Sequence, residues 1–218
     1  IMKITFWIDF VCPHSYIGKA RLEDAIQRAG IDRNDVEIEY KTLEYDKNAP
    51  KEYVDDAVKI VCKRYYYGPT GAKMAMKRIS DWGKFEGLEL NYLTARYTNS
   101  LDANRLLKLA QSKGDSNVTE KLVDGFFKAF FTDNLELSDR NVLIDVAEKA
   151  GLNKADIEKV LDSNEFEAEI RADEAEAESK EIGTPYTIIN GEKGEFIVNG
   201  AQDGVMFVKA LKDAAGIN

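Results

Sequence analysis

Strand-like sequence is confined to the two ends of this 218-residue chain, and that distribution restricts the available folds more than any other feature. Over Lys3 to Phe10, the side chains of Ile4, Phe6, Trp7, Ile8 and Phe10 crowd into one short run that reads as a buried strand. Ser15 to Ala29 turns helical, with Ile17, Ala20, Leu22, Ala25 and Ile26 at three- and four-residue steps and Gly30 as its stop. Val36 to Tyr40 alternates as a second strand does. Parallel strands need a crossover of this kind, which is right-handed almost by rule. From about Pro50 to Lys180 helical periodicity takes over. It is broken at Gly68-Pro69-Thr70-Gly71, Gly83 to Gly87, Lys113-Gly114-Asp115, Thr132-Asp133-Asn134 and Gly151-Leu152-Asn153. Strands resume only after Gly183, as Tyr186 to Ile189 and Glu195 to Asn199 around the hairpin-type dipeptide Asn190-Gly191. A last amphipathic helix uses Val205, Phe207, Val208, Ala210 and Leu211. The expected architecture is an α/β sheet, βαβ then ββα, over residues 1–45 and 181–218. A large all-helical insertion, residues 46–180, separates its halves.

Within the insertion, Ser138 and Asn153 are the expected helix N-caps. Glu165 to Glu181, acidic at most outward steps with alanines between, reads as a long surface helix. Tyr65-Tyr66-Tyr67 with Trp82, Met74 and Met76 reads first as core and second as the lining of an apolar substrate groove.

Composition excludes several classes of function. A hydrophobic fraction of 44% is enough for a core, while 32% charged residues and a mean hydropathy of -0.39 describe an ordinary soluble protein. A net charge of -9 argues against a nucleic-acid or anionic-membrane surface. No apolar run reaches the ~20 residues that cross a bilayer. Ile1-Met2-Lys3 leads straight into strand, so no signal peptide is expected and Met2 reads as the natural start. Two cysteines, Cys12 and Cys62, do not make a secreted disulfide scaffold, and one histidine leaves no zinc constellation. The expected compartment is the cytoplasm.

The chemistry concentrates in Cys12-Pro13-His14-Ser15, where the first strand gives way to the first helix. Unpaired N–H groups and the helix dipole at such a junction favour a thiolate, the form that attacks disulfides. Pro13 fits the first helical turn. Ser15 can donate a hydrogen bond to that thiolate but cannot close a disulfide with it. Either the protein works as a monothiol, or Ser15 replaces a natural second cysteine. Cys62, in the helical run Asp56 to Tyr65, reads as a core cysteine beside Val58 and Val61, the alternative being a remote resolving thiol.

Four segments, in matching order along nearly the whole chain, resemble the DsbA-like branch of the thioredoxin superfamily, and most closely its FrnE-type oxidoreductases. Asp9-Phe10-Val11-Cys12-Pro13-His14-Ser15-Tyr16-Ile17-Gly18 is similar to D-F-x-C-P-W-C-Y-x-G. Thr98 to Leu106 is similar to N-T-x-x-A-H-R, and Phe126 to Phe131 with Asp139 to Leu143 is similar to the A-Y-F and L-x-x-A stretch. Gly183-Thr184-Pro185-Tyr186 with Gly200-Ala201-Gln202 is similar to G-V-P-F-F and S-G-A-Q. Kappa-class glutathione transferases and 2-hydroxychromene-2-carboxylate isomerases, in the same superfamily, carry serine at the first motif position. Cys12-Pro13-His14-Ser15 lies between the two patterns.

The resemblance implies a thioredoxin-like fold and a thiol–disulfide oxidoreductase or isomerase with Cys12 as nucleophile. It also implies that His14, when protonated, lowers the thiol's pKa, and that Thr184–Pro185 is a cis peptide. Thr184 would then present its backbone to a bound peptide or to the cysteinyl part of glutathione. Gln202 and Asp203 open the last helix where related proteins hold the γ-glutamyl carboxylate, although Asp203 is equally readable as a plain N-cap. Catalysis is therefore assigned to Cys12, His14 and Ser15, and substrate binding to Pro13, Thr184, Pro185, Gln202 and Asp203. No resident cofactor is expected. The expected partners are protein thiols and disulfides or glutathione as co-substrate, for a monomer or homodimer. Two rival readings stand: a glutathione-dependent isomerase or transferase acting on a small aromatic substrate, and a non-catalytic thioredoxin-fold binding module.

Overall fold

A computed structural model describes residues 1–218. The chain runs β1 (Met2–Ile8), α1 (Pro13–Arg28), β2 (Val36–Thr42), α2 (Ala57–Tyr65), α3 (Pro69–Phe85), α4 (Leu101–Ser112) and α5 (Ser116–Phe127). It continues with α6 (Arg140–Ala150), α7 (Lys154–Leu161), α8 (Glu167–Ser179), β3 (Tyr186–Gly191), β4 (Gly194–Asn199) and α9 (Gly204–Ala215). It divides into a sheet unit, residues 1–43 with 173–218, and a helical unit, residues 44–172.

The sheet has the order β2-β1-β3-β4, so β1 is an inner strand between a partner from each half of the unit. It pairs parallel with β2 (Ile4 opposite Ile38) and antiparallel with β3 (Thr5 opposite Ile188). Phe6, Trp7 and Ile8 are consecutive and all fully buried, which requires cover on both faces of the strand. Each such side chain contributes roughly 1.5–3 kcal/mol on burial. Helix α9 packs on α1 and lies against β3 and β4. This is the α/β, thioredoxin-like architecture with a helical insertion.

The hairpin turn differs from expectation. Asn190 and Gly191 remain in β3, and Glu192-Lys193 make the turn ahead of Gly194, whose φ is 114°. Gly191 serves close approach instead: a Cβ there would lie 2.6 Å from the carbonyl carbon of Ala214 on α9.

The division at 172/173 falls before the expected 180/181, and two polar contacts explain it. β2 is an edge strand, and the buried Asp173 carboxylate accepts the Thr42 N–H at 3.0 Å, filling the place of a strand neighbour. Lys41 reaches Glu176 at 2.6 Å. Helix α8 is thus no plain surface helix, since Ile170, Asp173 and Ala177 are all buried.

In the helical unit, α5 passes into a π-helical turn, Lys128–Thr132. Phe126, Phe127, Phe130 and Phe131 are all fully buried there, with Phe130 edge-on to Phe131 and to Tyr97 at 4.7 and 4.9 Å between centroids. Asn153 caps α7 as expected. Asp139, not Ser138, caps α6, because the Ser138 hydroxyl donates to the Lys51 carbonyl instead. Met76 is core, but Tyr65, Tyr66, Tyr67, Met74 and Trp82 are exposed, contrary to the core reading.

Replacing Gly191 by alanine is expected to lower stability by about 1–3 kcal/mol through the clash with α9. Urea unfolding of the variant beside the parent measures this, and equal midpoints would contradict the close packing.

Candidate functional site

The end of β1 delivers Asp9, Phe10 and Val11 into a tight turn closed by the Cys12 N–H donating to the Asp9 carbonyl at 3.1 Å. Cys12 is the N-cap residue of α1 in extended geometry, and Pro13 is the first residue of the helix. Proline suits that place because its missing N–H would have had no helical partner. Cys12 is 5% exposed and is not in a disulfide.

Thr184–Pro185 is a cis peptide, as expected, and it meets Cys12 across the sheet unit. The Cys12 thiol lies 3.7 Å from the Thr184 carbonyl oxygen, to which it donates. Pro185 in turn packs on Gly18, one and a half turns into α1, where a Cβ would lie 3.1 Å from the proline ring. The Pro185 carbonyl accepts the Gly200 N–H at 3.0 Å, which ties this turn to the loop before α9.

Ser15 is fully buried. Its hydroxyl oxygen accepts the Asp9 N–H at 3.4 Å, while the Cys12 thiol donates to the Thr184 carbonyl. His14 also differs from expectation. Burial, and secondly the nearby Arg21 guanidinium, hold its pKa below the ordinary histidine value, so near neutrality it is the uncharged imidazole that stands beside Cys12. An imidazolium favouring the thiolate is not what this environment supports.

Gln202 and Asp203 sit exposed at the start of α9. Gln202 Nε2 donates to the Asn199 carbonyl at 2.8 Å. Asp203 occupies the N-cap position without capping by its side chain, which corrects the plain-cap reading. The structure therefore gathers Cys12, Pro13, Thr184, Pro185 and buried Ser15 closely, with His14 flanking. Gln202 and Asp203 join through the 200–203 loop. Cys62 belongs to the helical unit, in α2, and is half-buried rather than core, lining a cleft with Val58, Lys59, Lys63 and Leu93. No group of three or more His, Cys, Asp or Glu side chains is assembled in metal-binding geometry.

Three residues of the site went unassigned in the sequence. Asp9 brackets the turn from both its N–H and its carbonyl, and an acid inside the apolar run Ile8 to Val11 was the available signal. Gly18 was marked by standing inside a helical pattern. Arg21 had no signal; it donates to the Ala201 carbonyl at 2.6 Å and to the Gln202 carbonyl at 3.3 Å, fixing the 200–203 loop to α1.

A cysteine at the first turn of a helix, facing a cis-proline loop on a four-stranded mixed sheet, defines a thioredoxin-fold thiol site. The DSBA-like thioredoxin domain model matches residues 3–212, and the chain belongs to that family. It is 26% identical over 217 residues to the uncharacterized protein YwbO of Bacillus subtilis (strain 168), covering 97% of this chain and 96% of that one. Among solved structures it is similar to the probable DsbA oxidoreductase SCO1869 from Streptomyces coelicolor. That match has a TM-score of 0.88 and 28% identity, over 100% of this chain and 92% of that one. The fold is also that of a 2-hydroxychromene-2-carboxylate isomerase, with a TM-score of 0.64 and 18% identity over 96% and 94% of the two chains.

The depressed His14 pKa carries a sign. The unfolded chain, with an ordinary value near 6.5, binds the proton more readily. Stability is therefore full above that value and falls as the pH drops through it toward the folded value. His14 is the only histidine, so its imidazole resonances titrate alone. NMR titration is expected to place the midpoint below 6.5, and His14→Gln is expected to remove this part of the acid destabilisation. A midpoint above 6.5 would restore the imidazolium reading.

Proposed function

We propose that the protein is a thiol–disulfide oxidoreductase of FrnE type that works through Cys12 as a single nucleophilic thiol. The observation that carries this reading is Cys12 at the first turn of α1, 3.7 Å from the carbonyl of Thr184 in the cis Thr184–Pro185 loop, with serine at the fourth motif position. Membership of the DSBA-like family supports the same class of chemistry.

In the proposed reaction the Cys12 thiolate attacks one sulfur of a substrate disulfide. A Cys12–substrate disulfide forms as the substrate's own S–S bond breaks, and the second substrate sulfur leaves as a thiolate, which takes up a proton. Ser15 has no thiol with which to expel the bound half. The mixed disulfide is resolved by a second thiolate, either glutathione or the substrate's own cysteine. That thiolate attacks the substrate-side sulfur and returns Cys12 to the thiolate. Attack by the substrate's own cysteine leaves a rearranged disulfide, which is isomerisation. Thr184 presents its backbone to an extended substrate beside the sulfur, and Pro13 and Pro185 shape the walls. Gln202 and Asp203 border the place assigned to the γ-glutamyl carboxylate, at the positive end of α9. His14 contributes in its neutral form. Exposed Ile197, Val205 and Met206 beside this loop favour a polypeptide substrate over a small one. We assign the cytoplasm as its setting, in keeping with two unpaired thiols.

Intact-mass spectrometry after incubation with oxidised glutathione tests the assignment. One adduct is expected, mapped to Cys12, absent in Cys12→Ser and removed by reduced glutathione. Unmodified Cys12 would instead point to a thiol that orients glutathione for an isomerase or transferase reaction, or to a binding module.

A further inference from the structure

The α2–α3 hairpin of the helical unit leaves an apolar face without cover. On α3, Ala72, Met76 and Gly83 are buried on one side, while Met74, Arg78, Trp82 and Phe85 follow one another at three- and four-residue steps on an exposed side. Tyr65 ends α2, and Tyr66 and Tyr67 lie in the connection to α3, with the Tyr65 and Tyr67 rings 6.4 Å apart. Tyr65, Tyr66, Tyr67, Trp82 and Phe85 are 48%, 95%, 47%, 40% and 88% exposed. At roughly 150–250 Å² for a full aromatic side chain, they present on the order of 600 Å². That stands at the upper end of the ~300–600 Å² of the largest apolar patch on an ordinary monomer and approaches the ~800 Å² per partner of a stable interface.

Charge identifies the occupant. Residues 57–85 hold seven basic side chains and one acidic one, Asp81, in a chain whose net charge is -9. A basic aromatic ridge on an otherwise strongly acidic molecule finds its complement on that molecule's own surface. Hairpin against hairpin would set a net charge of +6 against +6, which is repulsive. Helix α8 offers the opposite surface: exposed Ala168, Ala172, Ala175 and Ser179 form a shallow stripe, and exposed Glu169 and Glu178 flank it. Short side chains leave room for an aromatic ridge, and the glutamates match its lysines.

We propose that the α2–α3 hairpin docks on helix α8 of a second copy of this chain, forming a homodimer. A two-fold arrangement makes the contact twice and closes the assembly.

Sedimentation velocity of the full chain across a concentration series tests this. The parent protein is expected to dimerise with a Kd that rises with salt. Phe85→Glu, at a position too exposed to disturb the fold, is expected to raise Kd about 30-fold or more with unchanged far-UV circular dichroism. Lys73→Glu with Lys77→Glu is expected to break the dimer, and adding Glu169→Lys with Glu178→Lys to the same chain is expected to restore it. A parent protein that stays monomeric overturns the proposal, as does a dimer indifferent to Phe85→Glu or a charge swap that restores nothing. A monomer that instead binds vesicles containing anionic lipid would assign the face to a membrane surface and overturn it equally.

Discussion

The pairing of β1 with β3 is the contact on which everything else depends. It joins the first strand of the chain to one that begins after the whole helical unit, and it places Thr184 against Cys12, 172 residues away in sequence. Without that ladder the cysteine would cap an ordinary helix. With it, a carbonyl from the far end of the chain stands 3.7 Å from the sulfur. The apolar run of β1 is what makes the pairing strong, since Phe6, Trp7 and Ile8 are buried together on both faces of the sheet.

Around that ladder the site is held by small, specific fits and not by one strong bond. Gly18 lets the proline ring sit on α1, and Arg21 bonds the carbonyls of Ala201 and Gln202. The Ser15 hydroxyl oxygen accepts the Asp9 N–H. The consequence is a thiol with a fixed neighbour on one side and no second thiol in the motif. A mixed disulfide formed at Cys12 would thus have to be resolved by a thiol from outside the motif. The neutral imidazole of His14 shows how packing overrules motif chemistry: burial and a neighbouring guanidinium both disfavour the charged form.

Much of this was legible in the residues. Local periodicity gave the β1-α1-β2 unit, the helical middle and the closing strands and helix, because these patterns are set by which side chains face a core over a few turns. The Cys12 and Thr184–Pro185 segments were legible as motifs. The Asn190-Gly191 dipeptide misled, because glycine was required for the approach of α9 and not for the turn. Ser138 misled too, because a hydroxyl can cap a helix or bind a distant carbonyl, and Lys51 is distant in sequence. The aromatic run at Tyr65 to Tyr67 carries the composition of a core, yet it is exposed.

The sequence by itself determined the elements, their order, the placing of a cysteine at a helix start and the absence of a second cysteine in the motif. These follow from side-chain periodicity and covalent identity, which need no knowledge of distant neighbours. Only the tertiary structure decided which group faces the sulfur, the charge state of His14, the partner of Ser15 and the exposure of the α2–α3 face. Each of those depends on burial and on contacts between segments far apart in the chain, and no local pattern encodes them.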